Sequence, residues 1–120
     1  MEQKLEVLIT AYEYMQKLYG GIQEAVECYR INDNAAGTNL TVQITEGLQW
    51  LTEALQGTLD IQKETVQIDE INDLLAEILE ALENEDTVLL ADLFEYELLE
   101  KLQEWYNQVC NSLEVLVPQE

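Results

Sequence analysis

Apolar positions recur in steps of three and four along most of the chain, the period of an amphipathic helix. In the first segment Leu5, Leu8, Tyr12, Met15, Tyr19, Ile22, Val26 and Tyr29 keep this spacing without a break. A parallel stripe runs through Val7, Ala11, Tyr14, Leu18, Gly21, Ala25 and Cys28. Glu6, Glu13, Lys17, Glu24 and Glu27 mark the opposite, solvated face. Glycine costs a helix interior about 1 kcal/mol relative to alanine. The register nevertheless passes unchanged through Gly20-Gly21, which predicts one helix over about 3–31. Gly21 falls on the second stripe, where a missing side chain would let another helix approach closely.

Asn32-Asp33-Asn34-Ala35-Ala36-Gly37 reads as a loop by composition. It is not an EF-hand loop: with Gly37 at the sixth position, the fifth is Ala36 and the twelfth is Gln43. A second helix is expected over about 39–62, with Thr38 or Asn39 as N-cap. Its seam is Ile44, Leu48, Leu51, Leu55 and Leu59. Gly47 and Ala54 on one flank suggest close helix contact, with Trp50 closing the edge. Either Gly57 caps this helix or it continues to Gln62.

A third helix, about 66–83, carries the seam Ile68, Ile71, Leu75, Ile78 and Leu82. Asp69 and Glu70 occupy its first turn, where the helix dipole favours anions. Asn84-Glu85-Asp86 then predicts a tight turn with Asp86 as the next N-cap. The fourth helix is expected over about 87–111, with Leu98, Leu102, Trp105 and Val109 facing inward. Its first turns are different. Val88, Leu89, Leu90, Ala91, Leu93 and Phe94 surround the helix, and Leu89 and Leu93 project on the side of Glu100, Gln103 and Asn107. Two explanations are open. Either the patch is exposed for a partner or a second copy, or the tail from Leu113 to Pro118 folds back over it. The expected fold is a single domain over 1–120, an antiparallel up-down-up-down four-helix bundle.

Composition narrows the chemistry. In 120 residues there are 25 acids, 5 bases and no histidine, a formal charge of −20. Scattered Lys4, Lys17, Arg30, Lys63 and Lys101 do not form a phosphate-binding patch, and direct nucleic-acid or membrane contact is not expected. No run approaches the ~20 apolar residues of a membrane span. Met1 to Glu6 lacks the basic and apolar regions of a signal peptide, so a cytoplasmic location is expected. Without imidazole there is no Ser-His-Asp triad, HExxH zinc site or Glu-x-x-His di-iron site. No catalytic residue, metal or cofactor is expected. Cys28 and Cys110 form no CxxC pair and read as small buried free thiols.

The charge is uneven. Residues 1–60 hold 9 acids and 3 bases, a net of −6, whereas 61–120 hold 16 acids and 2 bases, a net of −14. Asp73, Glu77 and Glu80 are expected on the outer face of the third helix, and Glu97, Glu100 and Glu104 on that of the fourth. This is either a solvated face or a plate that attracts a basic partner.

Three functions fit. The first is a non-enzymatic interaction module, adaptor or chaperone-like, for a basic or amphipathic protein segment. The second is a nucleic-acid mimic that occupies a basic groove. The third is a carboxylate-based enzyme or divalent-cation binder, for which Asp92 and Glu95 are the plausible interior acids. The first is preferred, with Leu89, Leu93, Tyr96, Glu97 and Glu100 as its partner-binding residues.

Ala81 to Asp86, Leu89-Leu90-Ala91-Asp92-Leu93 and Glu95-Tyr96-Glu97-Leu98 resemble a stretch of small, uncharacterised bacterial proteins of Gram-positive type. Gly47-Leu48-Gln49-Trp50-Leu51 is similar to a second piece of that pattern. This resemblance to a domain of unknown function implies no catalytic residues. In size, acidity and helicity the chain is also similar to flagellar and secretion chaperones.

Overall fold

The structure is a computed structural model that describes residues 2–117. Among these, the chain forms four helices and no strand. Helix α1 spans Glu2–Arg30, α2 Asn34–Gln56 and α3 Ile68–Glu83. Helix α4 is one continuous rod in three stretches: α-helical Thr87–Asp92, π-helical Leu93–Leu98 and α-helical Leu99–Leu116. A 3-10 turn, Leu59–Ile61, begins the connection from α2 to α3.

Burial in α1 follows a line between the two apolar stripes: Leu8, Ala11, Met15, Leu18, Ile22, Ala25 and Tyr29. The helix passes straight through Gly20 and Gly21. A side chain at Gly21 would meet nothing within 4 Å, so this glycine does not mark a close helix approach. Gly47 does: the Tyr14 hydroxyl lies where its side chain would be. Trp50 packs edge-on to Tyr14, with ring centroids 5.5 Å apart.

The expected loop before α2 is shorter than its composition implied. Asn32 closes α1 with a left-handed φ of 64°. Its N–H donates to the Tyr29 carbonyl and that of Asp33 to the Cys28 carbonyl, the Schellman arrangement. Asp33, instead of Thr38 or Asn39, is the N-cap of α2, accepting from the Ala36 N–H. Gly37 is therefore helical. Its role is proximity, because the Tyr29 ring lies 2.6 Å from where its Cβ would sit. That ring is anchored by a 2.7 Å hydrogen bond to Thr41. At the other end Gly57 caps α2, which stops at Gln56 and does not reach Gln62.

Gln62 ties the connection down. Its amide donates to the Leu55 carbonyl and accepts from the Val66 N–H, at 2.9 and 3.1 Å. The Lys63 N–H donates to Ser112 Oγ of α4 at 2.8 Å. Helix α3 starts at Ile68, in keeping with the expected start near 66, and buries Ile71, Leu74, Leu75, Ile78 and Ala81. The turn to α4 repeats the Schellman pattern with Glu85 at a φ of 53°. Asp86 caps α4 through the Leu89 N–H, as expected.

Contacts between α1 and α4 run in opposite order. Arg30 meets Asp92, Gln16 meets Tyr106, and Tyr12 meets Cys110. Helix α1 packs along α2, α2 along α3, and α3 along the Thr87–Asp92 stretch of α4. Cys28 and Cys110 are free thiols, half-buried and not fully enclosed.

Two expectations for α4 are corrected. The helix continues beyond Asn111 to Leu116, so the segment from Leu113 to Leu116 is helical and does not fold back over the first turns. Pro118 lies outside the described residues. The collar is divided instead: Leu90, Ala91, Leu93 and Phe94 are buried, the last two at the start of the π-helical stretch, whereas Val88 and Leu89 stay exposed at the surface. Wider turns in that stretch shift the register, so that Leu93, Phe94 and Leu98 all reach the core. Leu93 is 4% exposed, whereas Leu89 is 43% exposed.

Candidate functional site

The acidic rows of α3 and α4 do not point away from each other. They face one another across a groove. Glu70, Asp73 and Glu77 form one wall, and Tyr96, Glu97 and Glu100 the other, around a cavity of about 370 Å³. A second cavity of about 360 Å³ continues it past Glu77, Glu80 and Ala81 to Leu89, Leu93 and Glu97. Glu77 and Glu97 belong to both, so the two form one acidic channel. Leu74 and Ala81 supply apolar floor from α3 and Leu93 from α4.

The sequence explains this placement. Glu70, Asp73, Glu77 and Glu80 follow three-and-four spacing beside the buried Leu74 and Ala81. On α4 the π-helical stretch turns Leu93, Phe94 and Leu98 inward and leaves Glu95, Tyr96 and Glu97 outward. Tyr96 is 64% exposed at the rim. Of the residues expected to bind a partner, Leu89, Tyr96, Glu97 and Glu100 all line the channel with a free surface. Leu93 is the exception: it lies beneath, as floor, because the register shift carries it inward.

One end of the channel already holds a cation. Lys101 Nζ lies 3.1 Å from Glu70 and 3.5 Å from Glu104. Glu70 first, then Glu104, hold the Lys101 ammonium above its ordinary range. Glu70 read as a first-turn acid and Lys101 as one of five scattered bases; their pairing was not legible, since nothing in a single helix shows which neighbour its polar flank will meet.

Asp92 and Glu95 are not interior acids. Both reach Arg30 at the end of α1, at 2.9 and 2.7 Å, and all three side chains are partly exposed. Arg30 thereby joins α1 to the start of the π-helical stretch. Among the described residues no group of three or more acidic or cysteine side chains is arranged to hold a metal ion.

A further, uncharged cavity of about 250 Å³ lies between α1 and α4, lined by Met15, Gln16, Tyr19, Leu102, Gln103 and Tyr106. Beside it Tyr12 and Tyr106 stack with centroids 4.5 Å apart and hydroxyl oxygens 2.8 Å apart. The Tyr106 hydrogen bond, then burial and Cys110, hold the Tyr12 phenol well above its usual range.

No described helix is long and apolar enough to cross a membrane. An all-helical chain with an acidic interhelical channel is the class these features define. Residues 6–108 match the family described as "Domain of unknown function (DUF8042)", and the chain belongs to that family. No curated protein and no solved structure matches it.

Proposed function

We propose that this chain is a cytoplasmic, non-enzymatic interaction module, adaptor or chaperone-like, that binds a basic protein segment in the channel between α3 and α4. The observation that carries the reading is the pairing of two carboxylate rows across an apolar floor. Opposed like charges in one groove repel, and a cationic partner relieves that repulsion while steering its own approach. The scaffold we infer is an antiparallel up-down-up-down four-helix bundle. The reversed contact order of α1 and α4 and the short turn from α3 to α4 support it.

A catalytic role has less support. The channel holds carboxylates and one lysine, no histidine occurs in the sequence, and the channel is open along its length. Affinity capture from the native host, comparing the natural chain with a Glu77→Lys, Glu97→Lys variant, tests the proposal. A protein retained by the first and lost by the second supports it. Turnover of a small molecule by the purified chain, with no capture that depends on the channel, would refute it.

A further inference from the structure

We propose that the partner enters the channel as an amphipathic helix, with an apolar stripe flanked on both sides by Lys or Arg, laid lengthwise between α3 and α4. This rests on the reading of the channel as the partner site and names the form the partner takes.

The walls argue against an extended segment. Both are helices, whose backbone groups are paired internally and offer no strand edge for a ladder. An extended chain lying there would leave its own N–H and C=O groups to water alone. A helix brings those groups already satisfied. Leu74 and Ala81 of α3 and Leu93 of α4 form the floor but are buried in the chain's own core, so the apolar surface left for a partner's narrow stripe is Leu89 at one end and Tyr96 at the rim. The carboxylates flank that floor on two sides, Asp73 and Glu77 on one and Glu97 and Glu100 on the other. A helix with cations on only one flank would leave one row unanswered. From Glu70 to Glu80, α3 rises roughly 15 Å at 1.5 Å per residue. A partner helix of roughly three to four turns covers that length.

Charge is open where the partner would lie. Among the described residues, Asp73, Glu77, Glu97 and Glu100 form no salt bridge. Lys101 shows how the channel receives an ammonium at the one end that is filled. Tyr96, exposed at the rim, offers its ring face to a further cation.

The test uses the full chain and two synthetic peptides of identical composition. One places leucines at every third or fourth position with lysine and arginine on both flanks. The other permutes the same residues so that no face forms. Fluorescence anisotropy gives affinity, and far-UV circular dichroism gives the helix formed on binding. The patterned peptide should bind at least tenfold more tightly than the permuted one and gain helix as it binds. Glu77→Lys with Glu97→Lys should weaken it at least tenfold, and Tyr96→Ser several-fold, with the variants' own spectra showing that they fold. Equal binding of both peptides would overturn the helix while leaving the interaction reading intact. So would binding of the patterned peptide without gain of helix. Binding unaffected by the double reversal would remove the channel as the site. Failure of both peptides to bind at low salt would sink both readings.

Discussion

Leu93 and Leu98 point into the same core although five positions separate them. An α-helix cannot bring that spacing back to one face, since five steps overshoot a turn by about 140° at 3.6 residues per turn. The π-helical stretch between them widens the turn and absorbs the mismatch. Its consequence reaches the surface: with Leu93 drawn inward, Glu97 stands at the channel beside an exposed Tyr96.

Core placement of Leu93 and surface placement of Leu89 separate under substitution. Leu93→Ala should destabilise the fold by about 2–4 kcal/mol, the range for a buried leucine whose site cannot collapse. Leu89→Ala, at a half-exposed site, should cost less than about 1 kcal/mol. Urea unfolding of the two single variants measures both. Equal losses would mean that the register shift is absent.

Glu85 holds a left-handed backbone that glycine adopts without strain. Its side chain is exposed and its carboxylate adds to an excess of negative charge. Glu85→Gly should therefore raise stability by about 1 kcal/mol, from relief of an unfavourable φ. A lower urea midpoint in the variant would show that the Glu85 side chain contributes more than its backbone costs.

Glycines of α1 and α2 should respond with opposite sign. Space beside Gly21 is open, so Gly21→Ala should stabilise by about 0.5–1 kcal/mol through helix propensity alone. At Gly37 the added methyl meets the Tyr29 ring, which Thr41 holds in place, and Gly37→Ala should cost about 1–3 kcal/mol. Thermal melts of the two variants should move in opposite directions.

High pH should weaken the fold through Tyr12. Its phenol ionises with more difficulty in the folded chain than at its ordinary value of 10.0 in the unfolded one. The contribution is intact below that value and is lost as pH rises above it, because the unfolded chain then releases the proton first. Absorbance titration at alkaline pH should show Tyr12 ionising late, and Tyr12→Phe should flatten the loss of stability above pH ~10.

Added salt should stabilise the protein. Repulsion between the facing carboxylate rows adds to that of a chain with a formal charge of −20. At physiological ionic strength such repulsion is screened over ~8 Å. Melting temperature should rise from low to moderate sodium chloride, and less steeply in Glu77→Gln with Glu97→Gln. A flat profile would mean that Lys101 and Arg30 already balance the rows locally.

Helix content was legible in the sequence because three-and-four spacing of large apolar residues has one local solution. The seams through Leu8, Met15 and Ile22, through Leu48 and Leu55, and through Ile71 and Ile78 are all buried. Asp86 was readable as a cap because its bond is to a backbone group three residues away. Misreadings arose where a residue's meaning depended on a neighbour remote in sequence. Gly37 resembled a turn glycine, yet it lies within α2, which Asp33 caps, and it is small because the Tyr29 ring crosses it. Gly21 resembled a contact glycine, yet nothing approaches it. The collar from Val88 to Phe94 signalled that no single helical face could hold it, but not the remedy. Whether an apolar excess is met by a partner, a returning tail or a wider turn depends on packing against α1 and α3, which local spacing does not encode. The same holds for the acidic channel. Each row was visible along its own helix, but only packing brought the two face to face, because the buried stripes set how α3 and α4 turn towards each other.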